Sequence, residues 1–200
     1  KGHDAYPIFS LWDTYRAEMP FLGIIQPKRS ADMINTMVDI CSQQGRLPVW
    51  HLWGNETDCM VGNPGIIAVA DAIVKGLPGI DRERAYQALL TTAADTARGG
   101  ALREKYGYIP CDLMNEAIAY DMEYAIADGA IAQAAKAMGD TATFRKFNER
   151  SHSYRNYFDP TTGFIRGRFA DGSWRTPFDP NATTHRMDDY CEGNAWQYTW

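Results

Sequence analysis

The sequence predicts an all-α fold, and three observations carry the prediction. Apolar residues recur three and four apart in several separate stretches. Capping residues and glycine or proline stops bracket those stretches, and only residues 163–176 carry a strand-and-turn pattern. Helices that follow one another over short connections, with few strands, pack as an all-α architecture.

In chain order, Trp12-Asp13-Thr14-Tyr15-Arg16 lies early on a helix. Ser30 to Gln44 carries Met33, Ile34, Met37, Val38 and Cys41 on one face, with Ser30 as N-cap and Gly45 as stop. Leu47 to Met60 lacks periodicity and reads as a loop. Ile66 to Lys75 is a short apolar helix ended by Gly76 and Pro78. Asp81 caps a helix to Ala94 whose buried face is Tyr86, Leu89, Leu90 and Ala93. Glu116 to Met138 is long and Ala-rich, with a possible break at Asp128-Gly129. Asp140 or Thr141 caps a helix to about Tyr157, stopped by Asp159-Pro160. Asp171-Gly172 is the turn of a small β-hairpin between Phe164–Phe169 and Ser173–Arg175. Pro177 to Tyr190 reads as a long loop, and the residues from Glu192 onward as the start of another helix, so the architecture is read as incomplete.

Composition excludes several function classes. The chain has 200 residues, a 45% apolar fraction and a net charge of −5 with scattered basic residues, which argues against a nucleic-acid surface. No apolar run approaches the roughly 20 residues of a membrane span. Cys41, Cys59, Cys111 and Cys191 are widely spaced and form neither a zinc nor a thioredoxin-like pattern. His51 and His185 have no metal-ligand spacing. Lys1-Gly2-His3-Asp4 carries no secretory leader, as a mature or truncated chain would not. The sequons at Asn55 and Asn181 are common by chance, and a glycan on Asn55 would block the pocket argued next. Six Trp and eleven Tyr are more aromatics than packing alone requires, a weak sign of carbohydrate contact.

Three distant segments share one chemistry, flat aromatic faces beside carboxylates and carboxamides, which suits a polyhydroxylated ligand. In the first, Asp13 and Arg16 share a helix face. They form either an ordinary surface ion pair or an Asp13 that binds two sugar hydroxyls while Arg16 orients it, with Trp12 alongside. In the second, Trp53, Asn55 and Glu56 stand on the 47–60 loop as ligand contacts, unless Glu56 and Asp58 merely cap the next helix. In the third, Glu192 is the best general acid if Trp196 and Tyr190 crowd its carboxyl and keep its proton, the alternative being a dipole-complementing Glu at a helix start. Spacing of four puts Glu192 and Trp196 on one helical face.

These residues resemble glycoside hydrolase family 92, calcium-dependent exo-acting α-mannosidases. The matching pieces are Ser10-Leu-Trp-Asp-Thr-Tyr-Arg16, Leu47-Pro-Val-Trp50, Trp53-Gly-Asn-Glu-Thr57, Cys59-Met-Val-Gly62, Gly107-Tyr-Ile-Pro110, Phe158-Asp-Pro160, Gly163-Phe164, Pro177-Phe-Asp-Pro180 and Glu192-Gly-Asn-Ala-Trp-Gln-Tyr198, in the family's order. The resemblance implies that residues 1–200 are part of an (α/α)6 toroid, without the preceding β-sandwich domain, which the toroid would contact, or the toroid's C-terminal part. It implies inverting hydrolysis of terminal α-linked mannose on glycans, with Glu192 as general acid and Asp13 on the mannose hydroxyls. It also implies calcium, with Asn194 and Gln197 as candidate ligands, and a secreted, periplasmic or cell-surface location if the source is bacterial. The family's general base lies in a motif this sequence lacks. Another (α/α)6 glycosidase of glucosidase or trehalase type, and a non-catalytic sugar-binding helical domain, are the alternatives.

Overall fold

A computed structural model describes residues 2–184 and 188–200; His185 lies outside the described residues. The helices are α1 (Leu11–Thr14), α2 (Glu18–Ile25), α3 (Pro27–Gln44), α4 (Pro64–Lys75), α5 (Arg82–Ala93), α6 (Gly100–Tyr106), α7 (Ala117–Met138), α8 (Thr141–Arg150) and α9 (Ala195–Thr199). Short strands β1 (Phe9–Ser10), β2 (Trp50–Leu52) and β3 (Asn55–Glu56) form one antiparallel sheet, and β4 (Phe158–Asp159) pairs with β5 (Phe164–Ile165). Among the described residues no helix is long and apolar enough to cross a membrane.

Local chemistry explains most boundaries. The Asp81 and Asp140 carboxylates accept from the backbone N–H of Arg84 and Thr143, both at 3.0 Å, and so cap α5 and α8. Gly45, Gly76 and Gly139 close α3, α4 and α7 in the left-handed region. α3 departs from its expected start: it begins with Pro27 at its first turn, and Ser30 is buried inside the helix instead of capping it. Just ahead of it, α2 escaped the sequence reading because Pro20 looks like a breaker, yet in a first turn proline removes no helical hydrogen bond. The Asp128-Gly129 pair does not divide α7. Gly129 lies inside the unbroken helix beside the end of α8, where a Cβ would make only ordinary contact, 3.7 Å from the Ser151 Cβ.

Two other expectations need correction. α8 stops at Arg150, and a 3-10 turn covers Ser153–Tyr157. The expected hairpin is shorter than read. Around Asp171-Gly172 it holds one bridge, Arg168 to Trp174, flanked by the Phe169 N–H donating to Ser173 and the Arg175 N–H to Gly167, both at 2.8 Å. Phe164–Ile165 pairs instead as β5 with β4, closed by the Asp159 carbonyl accepting from the Thr162 and Gly163 N–H. The 47–60 loop is itself a hairpin, with His51 opposite Glu56 and Leu52 opposite Asn55, and β1 joins it with Phe9 opposite His51.

The apolar residues gather in two main clusters. One joins α2, α3, α4, α5 and α8 to the C-terminal half of α7 through Ile34, Met37, Ile66, Ile73, Leu89 and Ile131. The other gathers Ile109, Tyr157, Ile165 and Tyr190 around Ile118 and Tyr124 in the N-terminal half of α7. A third, small cluster of Val61, Ala119 and Cys191 sits where α4, α7 and α9 begin.

Candidate active site

The small cluster is where the distant segments meet. Trp12 packs on Val61, Ala119 and Cys191, together with Met60, Tyr120 and Tyr198. The α1 segment is fixed by the Leu11 N–H donating to the Val49 carbonyl at 3.2 Å and by β1 pairing with β2. Residues 60–63, just before α4, are held by Arg98, whose guanidinium donates to the carbonyls of Met60 at 2.5 Å and Gly62 at 2.9 Å.

The Glu192 segment is docked on the start of α7. The N–H of Glu116 donates to the Asp188 carbonyl at 2.7 Å, and those of Ile118 and Ala119 to Asp189 at 3.1 and 3.3 Å, so the loop serves as the helix's cap. Arg175 clamps the Asp189 carboxylate with two bonds, 2.7 and 2.8 Å, a planar bidentate pair. Gly167 is required there, since a Cβ would lie 2.0 Å from Asp189 Oδ2. The Tyr198 hydroxyl donates to the Cys191 carbonyl at 2.8 Å and accepts from its N–H at 3.1 Å. Burial pushes the Tyr198 phenol well above its ordinary pKa, so it stays a neutral hydroxyl.

Glu192 follows this clamp in the left-handed region, at φ 49°. Such a backbone in a non-glycine residue costs on the order of 1–3 kcal/mol and persists because its surroundings over-determine it. Its carboxylate is exposed and has no partner among the described residues. The expected crowding is absent: Tyr190 turns inward, donating to the Ile165 carbonyl at 2.7 Å, and Trp196 sets its edge on Phe164, centroids 4.7 Å apart. The helical i, i+4 relation also fails, because α9 begins only at Ala195.

The other expected residues divide. Asp13 is exposed with no protein partner among the described residues, free for hydroxyls. Arg16 does not pair with Asp13; it reaches Glu123 on α7 at 3.0 Å and donates to the Tyr15 hydroxyl. Trp196 is half-exposed, with its indole N–H donated to Asn181 Oδ1 at 3.2 Å. Trp53 is 85% exposed at a left-handed turn position, and Asn55 beside it is exposed. Glu56 is not free for a ligand: its carboxylate accepts the backbone N–H groups of Val49, Trp50, Thr57 and Asp58 at 2.7 to 3.0 Å, and so shapes the hairpin.

Sequence reasoning missed Glu123, Tyr15, Tyr198 and Arg98. A signal was present for Glu123, since a carboxylate in an Ala-rich buried helix demands a partner.

The proposed calcium ligands do not make a metal shell. Asn194 and Gln197 form a capping box: the Asn194 oxygen accepts from the Trp196 N–H at 3.1 Å, and the Gln197 oxygen from the Asn194 N–H at 2.7 Å. Among the described residues no group of three His, Cys, Asp or Glu could hold a metal. Calcium takes about six to eight oxygens, so these two residues do not fit it by themselves.

The family model described as the Glycosyl hydrolase family 92 catalytic domain matches residues 1–200. A family GH92 α-mannosidase of Bacteroides thetaiotaomicron, solved in complex with mannoimidazole, is 40% identical and superposes with a TM-score of 0.96 over 100% of this chain. A family GH92 inverting mannosidase from the same organism is 29% identical, with a TM-score of 0.88 over 96% of this chain. This chain spans 27% of the length of each. No curated protein sequence matched. The short β elements are accessory to helices arranged as in the (α/α)6 catalytic domain of these structures, and the chain belongs to glycosyl hydrolase family 92.

Proposed function

We propose that the protein containing this chain hydrolyses terminal α-linked mannose from glycans with inversion. In this reading Glu192 is the general acid, and Asp13, Trp12 and Arg16 bind the sugar. One observation carries it: Asp13 and Glu192 present exposed carboxylates without partners among the described residues, on segments that Trp12 packs together at the start of α4 and α7. The kinship with an α-mannosidase and an inverting mannosidase supports the substrate and the stereochemistry.

Glu192 protonates the departing glycosidic oxygen. A second carboxylate, roughly 6.5–9.5 Å away on the other ring face, activates the water. That base and the calcium ligands are assigned to chain outside residues 1–200. The bound sugar and that further chain supply the enclosure a general acid needs, since Tyr190 and Trp196 do not.

The test is Glu192→Gln in the longer protein. Turnover of a mannobiose, a poor leaving group, is expected to fall by about 10²–10⁴, with a smaller loss on an activated aryl mannoside. Unchanged mannobiose turnover would remove Glu192 from the role, and NMR showing an α-anomer as first product would remove inversion.

A further inference from the structure

Glu123 is a buried carboxylate in the middle of a helix, and it is 8% exposed. Burying a charge is unfavourable unless it is paired and hydrogen-bonded, so its partners reveal what it is for. Its Oε2 accepts from the Tyr15 hydroxyl at 2.9 Å and its Oε1 from the Arg16 guanidinium at 3.0 Å, while Arg16 also donates to the Tyr15 oxygen at 2.5 Å. The three side chains close a ring. Burial, reinforced by the neighbouring Glu123 charge, pushes the Tyr15 phenol up, so that it keeps the proton this ring requires.

The ring fixes a side chain that is otherwise loose. Arg16 is half-exposed, and a free arginine loses much rotamer entropy when it is immobilised. Here the guanidinium is held 4.5 Å from the Tyr15 ring centroid and 5.4 Å from that of Trp12. Two of its five N–H donors go to Tyr15 and Glu123, and three remain to be offered beside Trp12. The segment before α4 also packs tightly on α7 at this point. Gly62, at φ 74°, lies so close that a Cβ there would be 2.3 Å from the Glu123 Cβ, and Arg98 holds the Gly62 carbonyl in place.

We infer that Glu123 is a positioning residue for sugar binding: it holds Arg16 against Trp12 with the free guanidinium donors directed to the pyranose. This rests on the reading of Trp12, Asp13 and Arg16 as sugar contacts.

The experiment is a double-mutant cycle on the longer protein, with Glu123→Gln, Arg16→Ala and both together. It is read by KM and kcat on an aryl α-mannoside, by thermal unfolding, and by ¹⁵N spectra of the Arg16 guanidinium. Gln keeps the side-chain volume and removes the charge. The expected result is that Glu123→Gln raises KM about tenfold (about 1.4 kcal/mol) with kcat little changed. In the Arg16→Ala background it should add almost nothing, and the Arg16 guanidinium signal should narrow as the side chain is released. Independent, multiplying effects of the two substitutions, or an unchanged KM in Glu123→Gln, would overturn the assignment and leave Glu123 as packing only. If Arg16→Ala leaves KM unaltered, Arg16 is not a sugar contact and the positioning role falls with it. A wild-type protein that neither binds nor cleaves mannosides, but whose Arg16 signal still depends on Glu123, would defeat the mannose reading and keep the coupling.

Discussion

At the scale of single residues, carboxylates that look alike in the sequence have opposite fates. Glu56 and Glu192 both stand in aromatic-rich segments, yet four backbone N–H groups surround the first and no described residue bonds the second. Asp13 and Glu123 likewise exchange parts: the predicted partner of Arg16 is free, and the real one is contributed from 107 residues away. Sequence shows which residue types can bind a sugar, but not which of them the backbone has already engaged. The distinction is measurable at Glu56. Glu56→Gln keeps the shape, but it turns a four-fold acceptor into an amide whose N–H₂ must meet backbone donors. Charge-assisted bonds are roughly twice as strong as neutral ones, so the variant is expected to lose about 2 kcal/mol in urea unfolding. KM should change only through this loosened hairpin. A large KM effect at full stability would restore Glu56 as a ligand contact.

At the scale of elements, legibility followed the locality of the signal. α5 and the long α7 were readable because one local signal marks each: the Asp81 cap and an apolar face for α5, and an Ala-rich run closed by Gly139 for α7, whose start is capped from the distant 188–189 loop. α2 was hidden by Pro20. α6 was hidden by its seven residues and by the Gly99-Gly100 start, where Gly99 takes a left-handed φ of 88° that disfavours other residues. The 158–165 hairpin was missed because Asp171-Gly172 is the better turn dipeptide and marks the short pairing beside it, whereas the β4–β5 pairing depends on Asp159. Asp159 accepts from Thr161 N–H at 2.9 Å, Thr161 Oγ1 at 2.7 Å and Arg166 at 2.8 Å. Burial alone would raise its pKa; these bonds outweigh it and bring it down from 3.8 to about 2. A carboxylate depressed in the folded state adds stability above its unfolded pKa and loses it as the pH falls through the folded one. The unfolding temperature is therefore expected to drop more steeply between pH 4 and pH 2 in the native sequence than in Asp159→Asn. Parallel slopes in calorimetry would contradict the hairpin's dependence on this charge.

At the scale of the whole molecule, α7 belongs to both main cores, and a buried ionic network sits where they adjoin. Arg103 of α6, 7% exposed, donates to Asp121 and to Asp128, each at 2.5 Å, and to Ser153 at 2.9 Å. The Tyr157 hydroxyl and the Ile109 N–H complete Asp121, and Arg150 from α8 completes Asp128 at 3.2 Å. The network joins α6, α7, α8 and the 3-10 turn, and it fixes the half of α7 on which the Glu192 loop is docked. Burial pushes the Asp128 carboxyl up from its ordinary pKa, against the pull of Arg103 and then Arg150. Removing Arg103 takes away much of that pull, and breaking a buried pair from one side costs about 3–5 kcal/mol. Arg103→Ala is accordingly expected to be severely destabilised at pH 7. Its deficit should shrink toward pH 5, since a carboxylate whose folded pKa lies above its unfolded value regains stability as it takes up a proton. Replacing Arg103, Asp121 and Asp128 together by apolar residues of similar volume should cost less than Arg103→Ala alone, because no uncompensated charge remains. Hydrogen exchange should show the opening spread through Ile118, Tyr190 and Ala195 before it reaches Ile131 and Ile73. Uniform exchange across both cores, or a deficit independent of pH, would mean that apolar packing along α7 holds the halves together and the ion network is incidental.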